Sequence, residues 1–95
     1  MKLVIAIVDQ ALEPDVRDVF ADLGIHHYTY WTDVRGSGET GIKRGTPVYP
    51  GLNTIFIVAC ADETVEPFVK RMHEVRDSFP LRPGMKIVVI PAEMY

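Results

Sequence analysis

A chain of 95 residues leaves room for one hydrophobic core, so residues 1–95 read as a single domain. Hydrophobic content of 47% and charged content of 24% are ordinary for a globular protein, while a net charge of −3 argues against a general nucleic-acid binder, which carries a basic face. Cys60 is the only cysteine, which excludes an intrachain disulfide, and the apolar stretch after Met1-Lys2 is too short for a signal peptide or a membrane span; a cytoplasmic location is expected.

Lys2-Leu3-Val4-Ile5-Ala6-Ile7-Val8 is apolar at both parities and predicts a strand buried on both faces. Asp9-Gln10-Ala11 turns the chain, and Glu13-Pro14-Asp15 opens a helix, since Pro is tolerated and acids are favoured in a first turn. Val16, Val19, Phe20 and Leu23 form one apolar stripe, and Gly24 stops the helix. Ile25 to Val34, rich in aromatic and β-branched residues, predicts a second strand.

Val34 to Asn53 holds five of the seven glycines and two of the seven prolines, with Arg35, Lys43 and Arg44 adding positive charge. Backbone that lacks Cβ can come close to a ligand, and N–H groups beside cations suit an anion such as a phosphate. Thr54-Ile55-Phe56-Ile57-Val58-Ala59-Cys60 predicts a third strand, again apolar at both parities. Asp62 or Thr64 is expected to cap the next helix, with Pro67 in its first turn and Val65, Phe68, Val69, Met72, Val75 and Phe79 on its inner stripe. Pro80 and Pro83 end it, and Lys86-Ile87-Val88-Val89-Ile90 is the last strand, closed by Pro91.

Strand, helix, strand, strand, helix, strand, with Asp9…Leu12-Glu13-Pro14 repeated as Asp62…Val65-Glu66-Pro67, points to an α+β, ferredoxin-like βαββαβ sandwich. Right-handed crossovers put both helices on one face of an antiparallel sheet. The strands carry large apolar groups on both faces, so the second face needs another cover, and a homo-oligomer is expected.

The βαββαβ order, the run Thr32-Asp33-Val34-Arg35-Gly36-Ser37-Gly38 and the final Lys86-Ile87-Val88-Val89-Ile90-Pro91 resemble the PII signal-transduction superfamily over nearly the whole chain. In that family a T-E-V-K-G-x-G run enters a long T-loop, and a K-I-F-V-x-P strand follows a B-loop. The resemblance implies a homotrimeric signalling protein rather than an enzyme, with adenine nucleotides in the clefts between subunits. It also implies a T-loop that docks on a transporter or regulatory partner. By position, Arg35, Gly36, Ser37 and Gly38 then form the loop base beside a phosphate chain, and Arg82, Gly84 and Lys86 stand in the B-loop region. Glu39, Thr40, Lys43, Arg44 and Tyr49 fall in the partner-docking loop.

The chain departs from the family pattern in ways that bear on the ligand. The loop is short, Gly51 stands where a phosphate-binding lysine is expected, Glu39 and Thr40 replace a Gln, Pro83 replaces a B-loop glycine, and Tyr95 comes before the C-terminal arginines. AMP or ADP, or another small anion such as bicarbonate, is therefore expected ahead of ATP. A CutA-like, trimeric metal-binding or metal-tolerance protein is the alternative, with His26, His27, His73 and Cys60 as the available ligands. On a strand His26 and His27 point to opposite faces, so no metal site is assigned within one chain. Cys60 reads as core packing, and Tyr28 and Tyr30 share one face on which an adenine would stack. No Ser-His-Asp set or placed carboxylate pair suggests catalysis.

Overall fold

The computed structural model of the protein describes residues 1–38, 41–43 and 52–95. Strand β1 (Lys2–Asp9) leads through a short 3-10 turn, Gln10–Leu12, into α1 (Glu13–Asp22). There follow β2 (Thr29–Val34), a small hairpin of β3 (Gly36–Gly38) and β4 (Gly41–Lys43), β5 (Asn53–Cys60), α2 (Asp62–Asp77) and β6 (Met85–Pro91). The four long strands form one antiparallel sheet in the order β2-β5-β1-β6, the ferredoxin-like arrangement that the repeat predicted.

Strand alternation sorts the side chains cleanly. Val4, Ala6 and Val8 of β1 and Thr54, Phe56 and Val58 of β5 point under the helices and are buried. They meet Val16, Val19 and Phe20 of α1 and Phe68 and Met72 of α2. Phe20 lies at the centre, stacked on Phe68 at 5.1 Å and edge-on to Phe56 at 5.8 Å, so one ring joins both helices to the sheet.

The opposite face of the sheet carries no helix. Leu3, Ile5 and Ile7 of β1 stand beside Ala59, Ile57 and Ile55 of β5, and Leu3 and Ile5 stand beside Ile90 and Val88 of β6. Val88 and Ile90 are exposed. This is the apolar surface that the sequence said would need a cover.

Helix ends account for most departures from the expected boundaries. Gly24 has φ of 75°, its N–H donates to Ala21 O at 3.1 Å, and Ile25 N–H donates to Phe20 O at 2.8 Å, a Schellman close. That close holds the chain through Ile25 out of the sheet, so β2 starts at Thr29 rather than Ile25. Neither Asp62 nor Thr64 caps α2; Ala61 occupies the N-cap without a side-chain bond, and Pro67 lies inside the helix, past its first turn. Asp62 has another task, since the Met1 ammonium sits 2.8 Å from Oδ1. That contact lowers the Asp62 pKa, first through the hydrogen bond from the ammonium.

Candidate functional site

Four chain segments meet at one end of the sheet: the end of β1, the end of β2, the start of β5 and the start of β6. Two backbone bonds tie them together. Asp9 N–H donates to Gly84 O at 2.8 Å, and Gln10 N–H donates to Leu52 O at 2.9 Å. Asp9 Oδ1 also accepts from Ala11 N–H at 2.9 Å, fixing the turn that leaves β1. Glu13, in the first turn of α1, accepts from Thr54 Oγ1 at 3.1 Å, so the same end is braced from the helix side.

Arg35 follows the end of β2 and is exposed. Just before it the strand is bulged: Trp31 pairs with Ile55, but Val34, not Asp33, pairs with Asn53. The extra residue is Asp33, at φ of 58°, a left-handed conformation that costs most L-residues about 1–2 kcal/mol and Asp somewhat less. The bulge moves Val34 onto the bare face and re-aims the residues after it. At Gly36 an added Cβ would lie 3.2 Å from Asn53 Nδ2, so glycine lets the β5 amide approach the loop-base backbone.

Ser37 and Gly38 continue into β3, which pairs with β4 through Gly36–Lys43, Ser37–Ile42 and Gly38–Gly41. The predicted loop is thus partly a hairpin, which its glycine content had obscured. Of the predicted docking residues, Lys43 falls on β4, while Glu39, Thr40, Arg44 and Tyr49 lie outside the described residues, as does Gly51.

Arg82, Gly84 and Lys86 reach the same end of the sheet from its other edge. Three strand spacings of about 4.8 Å, or about 14 Å, separate β2 from β6. One chain therefore does not bring Arg35 together with Lys86. Arg82 binds Asp77 Oδ1 through Nε and Nη2, both at 3.0 Å, and is 62% exposed, so the pair contributes little to stability. Arg35 and Lys86 make no ion pair with the described residues.

Sequence reasoning missed Asn53 and the bulge. A polar residue opening an otherwise apolar strand was the available signal for Asn53; a single Asp in a run of β-formers gave none for the bulge.

The other candidates sort plainly. Tyr30 stacks on Phe56 at 5.3 Å and has the Arg17 guanidinium 4.5 Å from its ring centre, while Tyr28 tilts on Phe20 at 4.8 Å. Both belong to the helix-covered side, and although Tyr30 is 41% exposed its ring is already engaged by Phe56 and the Arg17 guanidinium. His26 and His27 lie between Gly24 and β2, at the far end from the loop base and not on a strand as expected. His73 is exposed on α2, 3.5 Å from Arg76 Nη2. No three His, Cys, Asp or Glu side chains gather among the described residues. Cys60 is half-buried, and burial, then the Asp62 charge, push its thiol pKa up, which is unlike a reactive nucleophile. No described helix is long and apolar enough to cross a membrane.

A ferredoxin-like sheet with a glycine hairpin rising from one end defines the class of α+β module to which the structure conforms. The family model for nitrogen regulatory protein P-II matches residues 1–94, and the chain belongs to that family of signalling regulators. Among solved structures it is similar to CPII, a nitrogen regulatory PII-like protein of Thiomonas intermedia K12 bound to ADP, AMP and bicarbonate. The TM-score is 0.72 at 19% identity, covering 94% of this chain and 84% of that one. The apo form of CPII matches at TM-score 0.64 and 17% identity, covering 94% of this chain and 87% of that one. A putative PII-like signaling protein of Thermus thermophilus matches at TM-score 0.67 and 23% identity, covering 94% and 83%. At these identities the likeness speaks to the fold alone. Comparison with curated proteins gave no significant match.

Proposed function

We propose that this protein is a PII-like regulator that assembles as a homotrimer and binds a small anionic ligand in the clefts between subunits. AMP or ADP is favoured over ATP, and bicarbonate is the small-anion alternative. The hairpin and the residues around it, Glu39 to Tyr49, then present the ligand state to a transporter or regulatory protein.

One observation carries the reading: the two sets of residues proposed to bind the anion share an end of the sheet but occupy opposite edges. Arg35, Gly36, Ser37 and Gly38 on one chain meet Arg82, Gly84 and Lys86 only if a second chain brings its β6 edge beside the first chain's β2 edge. The bare apolar face supplies the driving force for such an assembly. CPII, of similar fold, is described with ADP, AMP and bicarbonate, which supports the choice of ligand.

Chemically the cleft works by charge and backbone donors. Arg35 offers a planar fork to phosphate oxygens, Lys86 a point charge, and the Gly36–Gly38 backbone a close approach. Arg82 is released from Asp77 at small cost because that pair is solvent-exposed. These three cations and the glycine turn match one or two phosphates, and Gly51, standing where the family carries a phosphate-binding lysine, argues against a third.

The test is calorimetric titration with AMP, ADP, ATP and bicarbonate, alongside light scattering. Each charge-assisted contact contributes roughly 1.5–3 kcal/mol, so Arg35→Ala is expected to weaken binding by about one to two orders of magnitude. Absence of binding below about millimolar, or a stable monomer, overturns the reading.

A further inference from the structure

The sheet has one large aromatic side chain that neither the core nor the proposed phosphate contacts use. Trp31 pairs with Ile55, on the bare face, and is 50% exposed. Its neighbours Tyr28 and Tyr30 are on the other side, engaged by Phe20, Phe56 and Arg17. The aromatic platform that the sequence placed on the tyrosines is therefore left to the tryptophan.

Its position is particular in two ways. Trp31 lies on the β2 edge, and the same strand leads directly to Arg35 and Gly36. Arg35 comes four positions after Trp31, one of them absorbed by the bulge, so the backbone advances about 10 Å between them. A base on the indole and a phosphate on the loop base, joined by a ribose, fit that separation once the side chains reach inward. In addition, Trp31, Ile55, Ile7 and Lys86 form one row across the sheet. Lys86 thus stands at the level of Trp31 on the opposite edge of the same sheet.

From this placement we infer that Trp31 is the base-recognition residue of the cleft, stacking on the purine of an adenine nucleotide while Arg35 and its neighbours hold the phosphates. This rests on the nucleotide reading above and assigns that site a residue and a ligand part it did not have. Stacking answers to the π-face of the base and not to its phosphates, so affinity for the nucleoside moiety and affinity for the phosphates separate on mutation.

Trp31 is the only tryptophan in the chain, so its emission reports the site without labelling. Wild type is titrated with AMP, ADP and pyrophosphate, following both heat and fluorescence. AMP and ADP are expected to quench the emission; pyrophosphate is expected to bind without quenching. Trp31→Phe keeps a ring and most of the AMP affinity. Trp31→Leu keeps the apolar bulk that a packing role needs but loses AMP affinity roughly 5- to 150-fold, with pyrophosphate unchanged. The inference falls if AMP binds wild type by heat with no change in emission, or if the Phe and Leu variants bind it alike. If wild type binds no AMP at all, the nucleotide reading itself falls and takes this inference with it. Equal loss of AMP and pyrophosphate in the Leu variant, with a change in oligomer mass, marks Trp31 as an assembly residue and overturns the inference.

Discussion

The two faces of the sheet are built from the same few residue types, yet only one of them is finished within a single chain. Beneath the helices, Val4, Val8, Phe56 and Val58 are buried to within a few per cent. On the other side, Ile5, Ile7, Ile55 and Ile57 are only half-covered by one another, and Val88, Ile90 and Trp31 are exposed. The difference is one of partners and not of hydrophobicity. A βαββαβ chain with right-handed crossovers supplies helices to one side alone. In the proposed assembly, fold and association are divided between faces: one face holds the chain together, and the other, inward of the Trp31 edge, holds chains together.

The largest expected effect tests the finished face. Phe56→Ala removes a ring that touches Phe20, Tyr28 and Tyr30, and is expected to destabilise the fold by about 3–5 kcal/mol in chemical denaturation. Next comes the bare face. Ile57→Lys puts a charge where a second copy would bury it, at a cost of several kcal/mol to assembly. Sedimentation is expected to show dissociation while far-UV circular dichroism is retained; an unchanged oligomer would mean that copies of this chain do not cover that face.

A smaller effect belongs to the bulge that joins the bare face to the loop. Asp33→Val forces a β-branched residue into the left-handed region and is expected to cost about 1–2 kcal/mol, whereas Asp33→Gly is expected to be neutral or slightly stabilising. Equal losses in the two variants would show that the Asp carboxylate, not its backbone, is what matters there.

The smallest effect lies at the far end of the sheet. The Met1 ammonium lowers the Asp62 pKa in the folded chain. Its contribution is therefore present above the unfolded carboxylate pKa and is lost as pH falls through the lowered folded value. Asp62→Asn is expected to leave the melting temperature nearly unchanged at neutral pH, because the pair is exposed. It is also expected to flatten the acid limb of the stability profile slightly.

Most of the fold was legible because the signals were local and periodic. The α1 stripe through Phe20, the stop at Gly24 and the doubly apolar strands each follow from side-chain spacing. The start of β2 was misread because Ile25 to Tyr28 have strand-like side chains, while the Schellman bond from Ile25 to Phe20 directs the backbone elsewhere. The caps of α2 were misread because Asp62 answers to the chain's own amino group, a contact between residues far apart in sequence. For the candidate site, Arg35 and Gly84 were readable as residue types. That they occupy opposite edges of one sheet end was not, since strand order is a non-local property. Trp31 was passed over for the tyrosines because parity alone does not say which face the helices take.

The one-residue bulge at Asp33 also bears on how the hairpin can change. Because β2 and β5 re-register at Val34 and Asn53, the strand segments below that point keep their inward and outward assignment whatever lies between them. The backbone bonds from Gln10 to Leu52 and from Asp9 to Gly84 brace the rim from outside the hairpin. The segment from Gly36 to Gly51 is in that sense an exchangeable cassette. In the proposed regulator, longer, shorter or foreign loops grafted there are expected to leave the core in frame, so that partner choice would diversify without renegotiating the fold.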